Sequence, residues 1–255
     1  MIGVRISVEE WKIAAAEAAA KLVKRGMVVG LGSGTTVAQV VRALAKKKPG
    51  AIFVPSSIYI QRLASEFGLK LASLHEYRRL DLMIDGADEV DANFNMIKGR
   101  GGAHTREKIV AGAAKRVVIV VDRTKLVKRL GEKMPVPVEV LPFAYKPAIH
   151  KLAELGGKPM LRTTPSGAPF VTDDGNYIID VKFREVAKPA ELERAINRVP
   201  GVVENGIFVG VADIVLVGCE GGCKIFRSKR NFLNFLKKAS TSQPKRQLGR
   251  VKRPL

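Results

Sequence analysis

Met27-Val-Val-Gly-Leu-Gly-Ser-Gly-Thr-Thr-Val37 is an apolar segment running into a glycine-rich turn and out into amphipathic sequence. Met27 to Gly30 reads as a strand, Leu31 to Thr36 as the turn, and about Val37 to Lys47 as a helix. A short strand that is apolar on both faces belongs to a covered parallel sheet, whose return connection is a helix. Upstream, Ser7 with Glu10 three residues on forms a capping box, so Ser7 to Arg25 is predicted helical. Downstream, Ile52-Phe-Val-Pro-Ser-Ser57 is a second buried strand ending in small polar residues. A helix to Phe67, strands at Leu69 to Leu74 and Leu80 to Ile84, a helix at about Thr105 to Ala114 and the strand Val117 to Val121 follow. The alternation predicts the α/β class: an open, mostly parallel, Rossmann-like sheet with helices on both faces.

After Gly131 the pattern changes. Pro135 to Phe143 reads as a strand, Lys146 to Leu155 as a helix and Pro159 to Thr164 as a strand. Strands at Pro169 to Phe183 surround the Asp173-Asp-Gly175 turn, and a helix at Pro189 to Arg198 precedes a strand at Val202 to Phe208. That is close to the β-α-β-β-α-β order of a split βαβ, ferredoxin-like α+β module, with room for one extra hairpin. Gly210 to Gly218 is again a buried parallel-type strand. The expected organisation is a discontinuous parallel α/β domain (1–130 and 207–239), a small α+β domain (131–206) and a basic tail (240–255).

With 255 residues and 46 % hydrophobic side chains, the chain can bury a core without disulfides or structural metal. Cys219 and Cys223 have no companion Cys or His pair to complete a tetrahedral site, so they read as reduced cysteines near a turn. No apolar run approaches the roughly 18 residues of a membrane span, and the N-terminus lacks the apolar centre of a signal peptide, so a cytoplasmic protein is expected. The net charge of +20 is uneven: Lys224 to Leu255 holds 11 Lys and Arg and no acid. The rest of the chain is only moderately basic, which argues against a nucleic-acid footprint on the body. The stretch from Ser240 onward is read as a flexible tail open to nucleic acid or other polyanions.

Ligands of open α/β sheets bind outside the carboxyl ends of the strands, and three loops there have unusual composition. The first is Gly30-Leu-Gly-Ser-Gly-Thr-Thr36. Its glycines permit close backbone approach at the positive end of a helix, and Ser33, Thr35 and Thr36 add hydroxyls. No Gly-Lys-[Ser/Thr] follows, so it is not a Walker loop. Thr35 replaces the third glycine of a dinucleotide fingerprint, and Pro55-Ser-Ser57 stands where its acid would be. A small phosphate monoester fits better than NAD. The second loop, Asp85-Gly-Ala-Asp-Glu-Val-Asp91, offers four acids: a solvated turn, a metal site without EF-hand spacing, or acid–base groups. The third, Lys98-Gly-Arg-Gly-Gly-Ala-His-Thr-Arg-Glu-Lys108, leads into a helix with Glu107 in its first turn. The helix dipole lowers the pKa of that carboxyl, whereas burial or neighbouring acids raise it, and sequence leaves the balance open.

Together these loops resemble ribose-5-phosphate isomerase of the A type. The carrying residues are Lys12, Gly30 to Thr36, Asp85 to Glu89, Lys98 to Lys108 and Lys125 in Val-Asp-Arg-Thr-Lys125. Arg100 stands where that family usually has glycine, His104 where it often has an apolar residue, and the basic extension beyond Lys224 has no counterpart. The resemblance implies interconversion of D-ribose 5-phosphate and D-ribulose 5-phosphate through an enediolate, in the non-oxidative pentose phosphate pathway, without metal or organic cofactor. On that resemblance Glu107 is the proton-transferring base, Asp85 and Asp88 serve hydroxyl protons and ring opening, and Lys98 steadies the enediolate oxygen. Lys12, Ser33, Gly34, Thr35, Thr36, Gly86, Ala87, Gly99, Arg100, Gly101 and Lys125 would hold the substrate and its phosphate. A homodimer or homotetramer is also implied. The main alternative is a non-catalytic, sugar-phosphate-sensing regulatory protein of similar fold, which would keep the phosphate loop and lose the acid–base residues. Another is a different enzyme on the same fold, an amino-sugar phosphate isomerase/deaminase or an acyl-CoA transferase.

Overall fold

The computed structural model describes residues 7–241. Ser7 caps α1 (Val8–Ala20) through the expected capping box, and the face Ala15, Ala16, Ala19 and Ala20 is buried. Small side chains let α1 lie close on the sheet. β1 (Val28–Leu31), α2 (Thr35–Lys47), β2 (Ile52–Pro55) and α3 (Ile58–Glu66) follow. Then come β3 (Leu82–Asp85), a hairpin of β4 (Glu89–Val90) and β5 (Met96–Ile97), α4 (His104–Ala113) and β6 (Val117–Asp122).

The second part of the chain opens with β7 (Val136–Val140), α5 (Tyr145–Glu154), β8 (Gly157–Leu161), β9 (Tyr177–Phe183), α6 (Pro189–Asn197) and β10 (Val202–Asn205). It closes with β11 (Ile207–Phe208), β12 (Ile214–Cys219), β13 (Gly222–Phe226) and α7 (Lys229–Thr241).

The main sheet has the order β13-β12-β6-β3-β1-β2 and is parallel except for the β12–β13 edge pair. Alternate residues of its strands point to opposite faces. Val118 and Val120 join the core under α1, α2 and α3, while Val117, Ile119 and Val121 join the core under α4 and α7. Two covered faces are the reason its strands read as unbroken apolar runs. A four-stranded antiparallel sheet, β10-β7-β9-β8, packs with α5 and α6 around a third core that includes Val138, Ile179 and Val181. Taken in chain order its strands run β-α-β-β-α-β, as expected. It is bonded to the main sheet's helices: Thr105 at the start of α4 donates to the buried Glu139 of β7, which also accepts from Thr172 at 2.8 Å and Asn176 at 2.9 Å.

Several expectations are corrected. Leu69 to Leu74 is not a strand; only Leu71 bridges Phe53 before the chain turns at Ser73 to Glu76. The segment before the Asp173-Asp-Gly175 turn makes isolated bridges, at Thr163–Pro169 and Val171–Tyr177, rather than a strand of its own. Val202 to Phe208 is two strands in two sheets, β10 in the four-stranded sheet and β11 with β5 and β4. They part at Gly206, where a Cβ would stand 2.2 Å from the Lys98 carbonyl oxygen. The basic C-terminal region also contains β13 and α7, whose apolar face seats Phe232 against Phe94 and Phe226. Because α7 runs through Thr241, the expected boundary of the tail at residue 240 lies inside the helix. Residues 242–255 of that expected tail are outside the described residues. No helix among the described residues is long and apolar enough to cross a membrane.

Candidate active site

The chain leaves β1 toward β2 on one side and later returns to place β3 on the other. The carboxyl ends of β1 and β3 therefore flank a topological switch point, the place where open α/β sheets bind ligands. The loop after β1 meets the end of β3 there. Gly32 donates to the Ile84 carbonyl at 2.9 Å, and a Cβ on Gly32 would fall 1.7 Å from Asp85 Oδ1. Only glycine lets the phosphate-type loop lie this close to the acidic loop. Asp85 Oδ1 accepts from the Ser33 N–H at 3.3 Å and from the Gly86 N–H at 2.7 Å.

Lys98 is held between two carboxylates. Its Nζ lies 2.9 Å from Asp85 Oδ2 and 3.0 Å from Glu107 Oε2, and it donates to the Gly86 carbonyl at 2.6 Å. All three side chains are buried. Two acids face one cation in a site closed to water, so two full negative charges are not balanced. Burial, followed by the Asp85 charge, pushes the Glu107 carboxyl up to about 8 against the pull of Lys98; Asp88 adds to the rise. Burial raises Asp85 as well, opposed by Lys98 and its two N–H donors. Burial by itself would lower Lys98, but Asp85 and Glu107 outweigh it and hold the ammonium charged, above its usual range. The balance left open by the sequence falls to burial rather than to the helix dipole.

Asp88 accepts from the Arg100 N–H at 3.0 Å, so the second and third loops are joined. The Arg100 side chain is exposed, and its backbone makes this contact. Lys12 reaches the first loop from α1, donating to Thr35 Oγ1 at 3.3 Å. Ser33, Gly34 and Thr36 are half-buried around the start of α2, with Gly34 as its N-cap. Gly86 and Ala87 line the acidic loop, and Gly99 and Gly101 the third. Lys125 comes to the same end of the sheet in the short turn after β6, and among the described residues no bond ties it to the three loops.

Two residues were missing from the expected site. Ser57, the N-cap of α3, places its Oγ 3.0 Å from Ser33 Oγ; the small polar end of β2 was its signal. His104 is fully buried against the loop, with its Nε2 3.4 Å from the Glu204 carbonyl and its Nδ1 2.6 Å from where a Cβ of Gly99 (φ +104°) would stand. Burial lowers this imidazole to about 3, so it is neutral and spaces the loop instead of carrying charge. Among the described residues no group of three His, Cys, Asp or Glu side chains is placed to hold a metal ion.

Comparison with known proteins shows the family. The family model described as ribose 5-phosphate isomerase A (phosphoriboisomerase A) matches residues 52–222. The curated ribose-5-phosphate isomerase A of Thermosynechococcus vestitus is 50 % identical over 218 residues, covering 83 % of this chain and 92 % of the relative. That of Thermomicrobium roseum is 46 % identical over 226 residues, covering 87 % and 95 %. Among solved structures, ribose 5-phosphate isomerase A from Methanocaldococcus jannaschii aligns with a TM-score of 0.83 at 45 % identity, covering 87 % of this chain and all of the other. A D-ribose-5-phosphate isomerase in complex with phospho-erythronic acid aligns with a TM-score of 0.85 at 43 % identity, covering 88 % of this chain and 100 % of the other. With identity of that order over most of its length, and the same backbone, this chain belongs to the ribose 5-phosphate isomerase A family of enzymes.

Proposed function

We propose that this chain interconverts D-ribose 5-phosphate and D-ribulose 5-phosphate through an enediolate, with Glu107 carrying the proton between C2 and C1. The observation that carries the reading is the buried Glu107–Lys98 contact of 3.0 Å in a site where the Glu107 carboxyl titrates near 8. A base whose pKa lies close to the working pH both takes and returns a proton. Lys98 beside it supplies fixed positive charge where the enediolate oxygen develops, and Asp85 holds that ammonium in place. Asp85 and Asp88 exchange hydroxyl protons and open the sugar ring. The phosphate sits on the N–H groups and hydroxyls of Ser33 to Thr36 at the start of α2, with Lys12 and Lys125 supplying charge. Phospho-erythronic acid, bound to a relative, is a phosphorylated sugar acid, and that supports a phosphorylated sugar substrate here. The complete set Asp85, Asp88, Lys98 and Glu107 favours an enzyme over a sugar-phosphate sensor and suits the non-oxidative pentose phosphate pathway. Large exposed apolar side chains such as Phe143 and Met160 support a homodimer or homotetramer.

Glu107→Gln tests the assignment, since it keeps shape and removes the base. General-base catalysis contributes about 10²–10⁴-fold, so kcat should fall by at least about a hundredfold. Binding of a non-reactive five-carbon phosphate should change less than about tenfold, because a separate loop holds the phosphate. Exchange of the transferred hydrogen with solvent should also disappear. Retention of a tenth or more of wild-type kcat would move the carbon-bound proton to another group.

A further inference from the structure

Arg162, just past β8, reaches from the four-stranded sheet to the glycine loop of the site. Its Nη1 donates to the carbonyl oxygens of Gly99 at 2.9 Å and Arg100 at 3.0 Å. Its other edge is held by Asp180 of β9, Nε to Oδ2 at 2.8 Å and Nη2 to Oδ1 at 2.5 Å. Both side chains are largely enclosed, at 15 % and 17 % exposure. The guanidinium also lies over the Phe170 ring, 5.6 Å from its centroid, and Phe170 occupies the space beside Gly102. A rigid planar fork can grip a carboxylate with one edge and two carbonyls with the other, whereas an ammonium cannot.

Peptide planarity gives this grip a consequence on the far side of the loop. The described chain has no cis peptide, and in a trans peptide the N–H points opposite to the C=O. With the Gly99 carbonyl turned to Arg162, the N–H of the same peptide, that of Arg100, faces the other way and donates to Asp88 Oδ2 at 3.0 Å. A continuous path therefore runs Asp180–Arg162–peptide–Asp88. The next peptide repeats it: the Arg100 carbonyl faces Arg162, so the Gly101 N–H is directed away from it. A Cβ on Gly101 would meet nothing within 4 Å, so this part of the loop borders open space.

We propose that Arg162 is a positioning residue for the isomerisation, which, anchored by Asp180, holds the Gly99–Arg100 peptide so that the Arg100 N–H fixes Asp88. The proposal rests on the reading of Asp88 as an acid–base group. A purely structural tie between sheet and loop would affect the melting temperature and leave kcat alone; a positioning residue affects kcat in folded protein.

The test is steady-state kinetics on the full chain, with folding of each variant checked by its melting temperature. Misplacing a reacting group by about 1 Å costs on the order of a hundredfold, so Arg162→Gln and Arg162→Lys should lose about 10- to 100-fold in kcat with KM within about threefold. Asp180→Asn, which keeps the guanidinium but loosens it, should lose activity in the same direction and by less. Residues acting through one group are non-additive, so the Arg162→Gln, Asp88→Asn double variant should lie within about threefold of Asp88→Asn alone. A folded Arg162→Lys with more than half of wild-type kcat, an Asp180→Asn with no loss, or losses that multiply in the double variant would each overturn the proposal. Wild-type kcat in Asp88→Asn would instead remove the catalytic reading of Asp88, and this proposal with it, a result read from that variant by itself.

Discussion

Glu107 sits in the first turn of α4, where a helix dipole favours a carboxylate by about 0.3–1 kcal/mol at exposed sites. Its burial and the neighbouring Asp85 act the other way and prevail, lifting the carboxyl from 4.5 to about 8. The rate should follow. kcat/KM reports ionisations of the free enzyme, so we expect it to climb with pH through an ionisation near 8 and level off above it. A profile flat through that pH would take the base role from Glu107. Stability should move oppositely. The folded pKa lies above the unfolded one, so the contribution of this group is complete below about 4.5 and is lost as pH rises through about 8. Glu107→Gln should therefore gain in melting temperature relative to wild type across that window, with the difference constant above it. A difference that does not change across the window would mean that Glu107 ionises normally. None of this was readable from residue type, because the sequence names the carboxylate and its dipole but not the water it has lost.

Among the elements, α7 shows best what pattern reading can find and can pass over. Phe232, Phe235 and Leu236 stand at i, i+3 and i+4, an amphipathic signal in plain view. Residues up to 239 are kept in the expected α/β domain, but no helix is assigned from sequence to this cation-rich stretch. In the fold, Phe232 is fully buried, with ring centroids 5.2 Å from Phe94 and 5.1 Å from Phe226. Phe232→Ala should cost about 3–5 kcal/mol of stability by the usual cavity penalty, with kcat within about threefold well below the melting temperature. An unchanged melting temperature would show that α7 leaves this face when the protein is in solution. The two-residue strands β4, β5 and β11 are a different case. They are too short for any period to register, and β11 joins the β4–β5 hairpin by tertiary contact, beside the bond from the Lys98 N–H to the Gly206 carbonyl at 2.9 Å.

For the whole molecule, the charge and the chemistry occupy different parts of the chain. Residues 242–255 carry five Lys and Arg and no acid, and every site residue lies upstream of α7. A chain ending after Thr241 should keep turnover within a factor of about two, and its retention on heparin should depend less steeply on salt than that of the full chain. A folded truncated protein with a large loss of turnover would place part of the site or of its assembly in those residues. By itself the sequence determined the α/β alternation, the split βαβ order and the three glycine and acid loops. Each of these rests on local periodicity or on a residue type with one physical use, which survives without knowing the fold. Only the tertiary structure decided that Lys98 lies between Asp85 and Glu107, that His104 is neutral, and that Arg162, more than sixty positions from Gly99, reaches its carbonyl. Desolvation and through-space contact depend on which distant residues are brought together, and no local pattern records that.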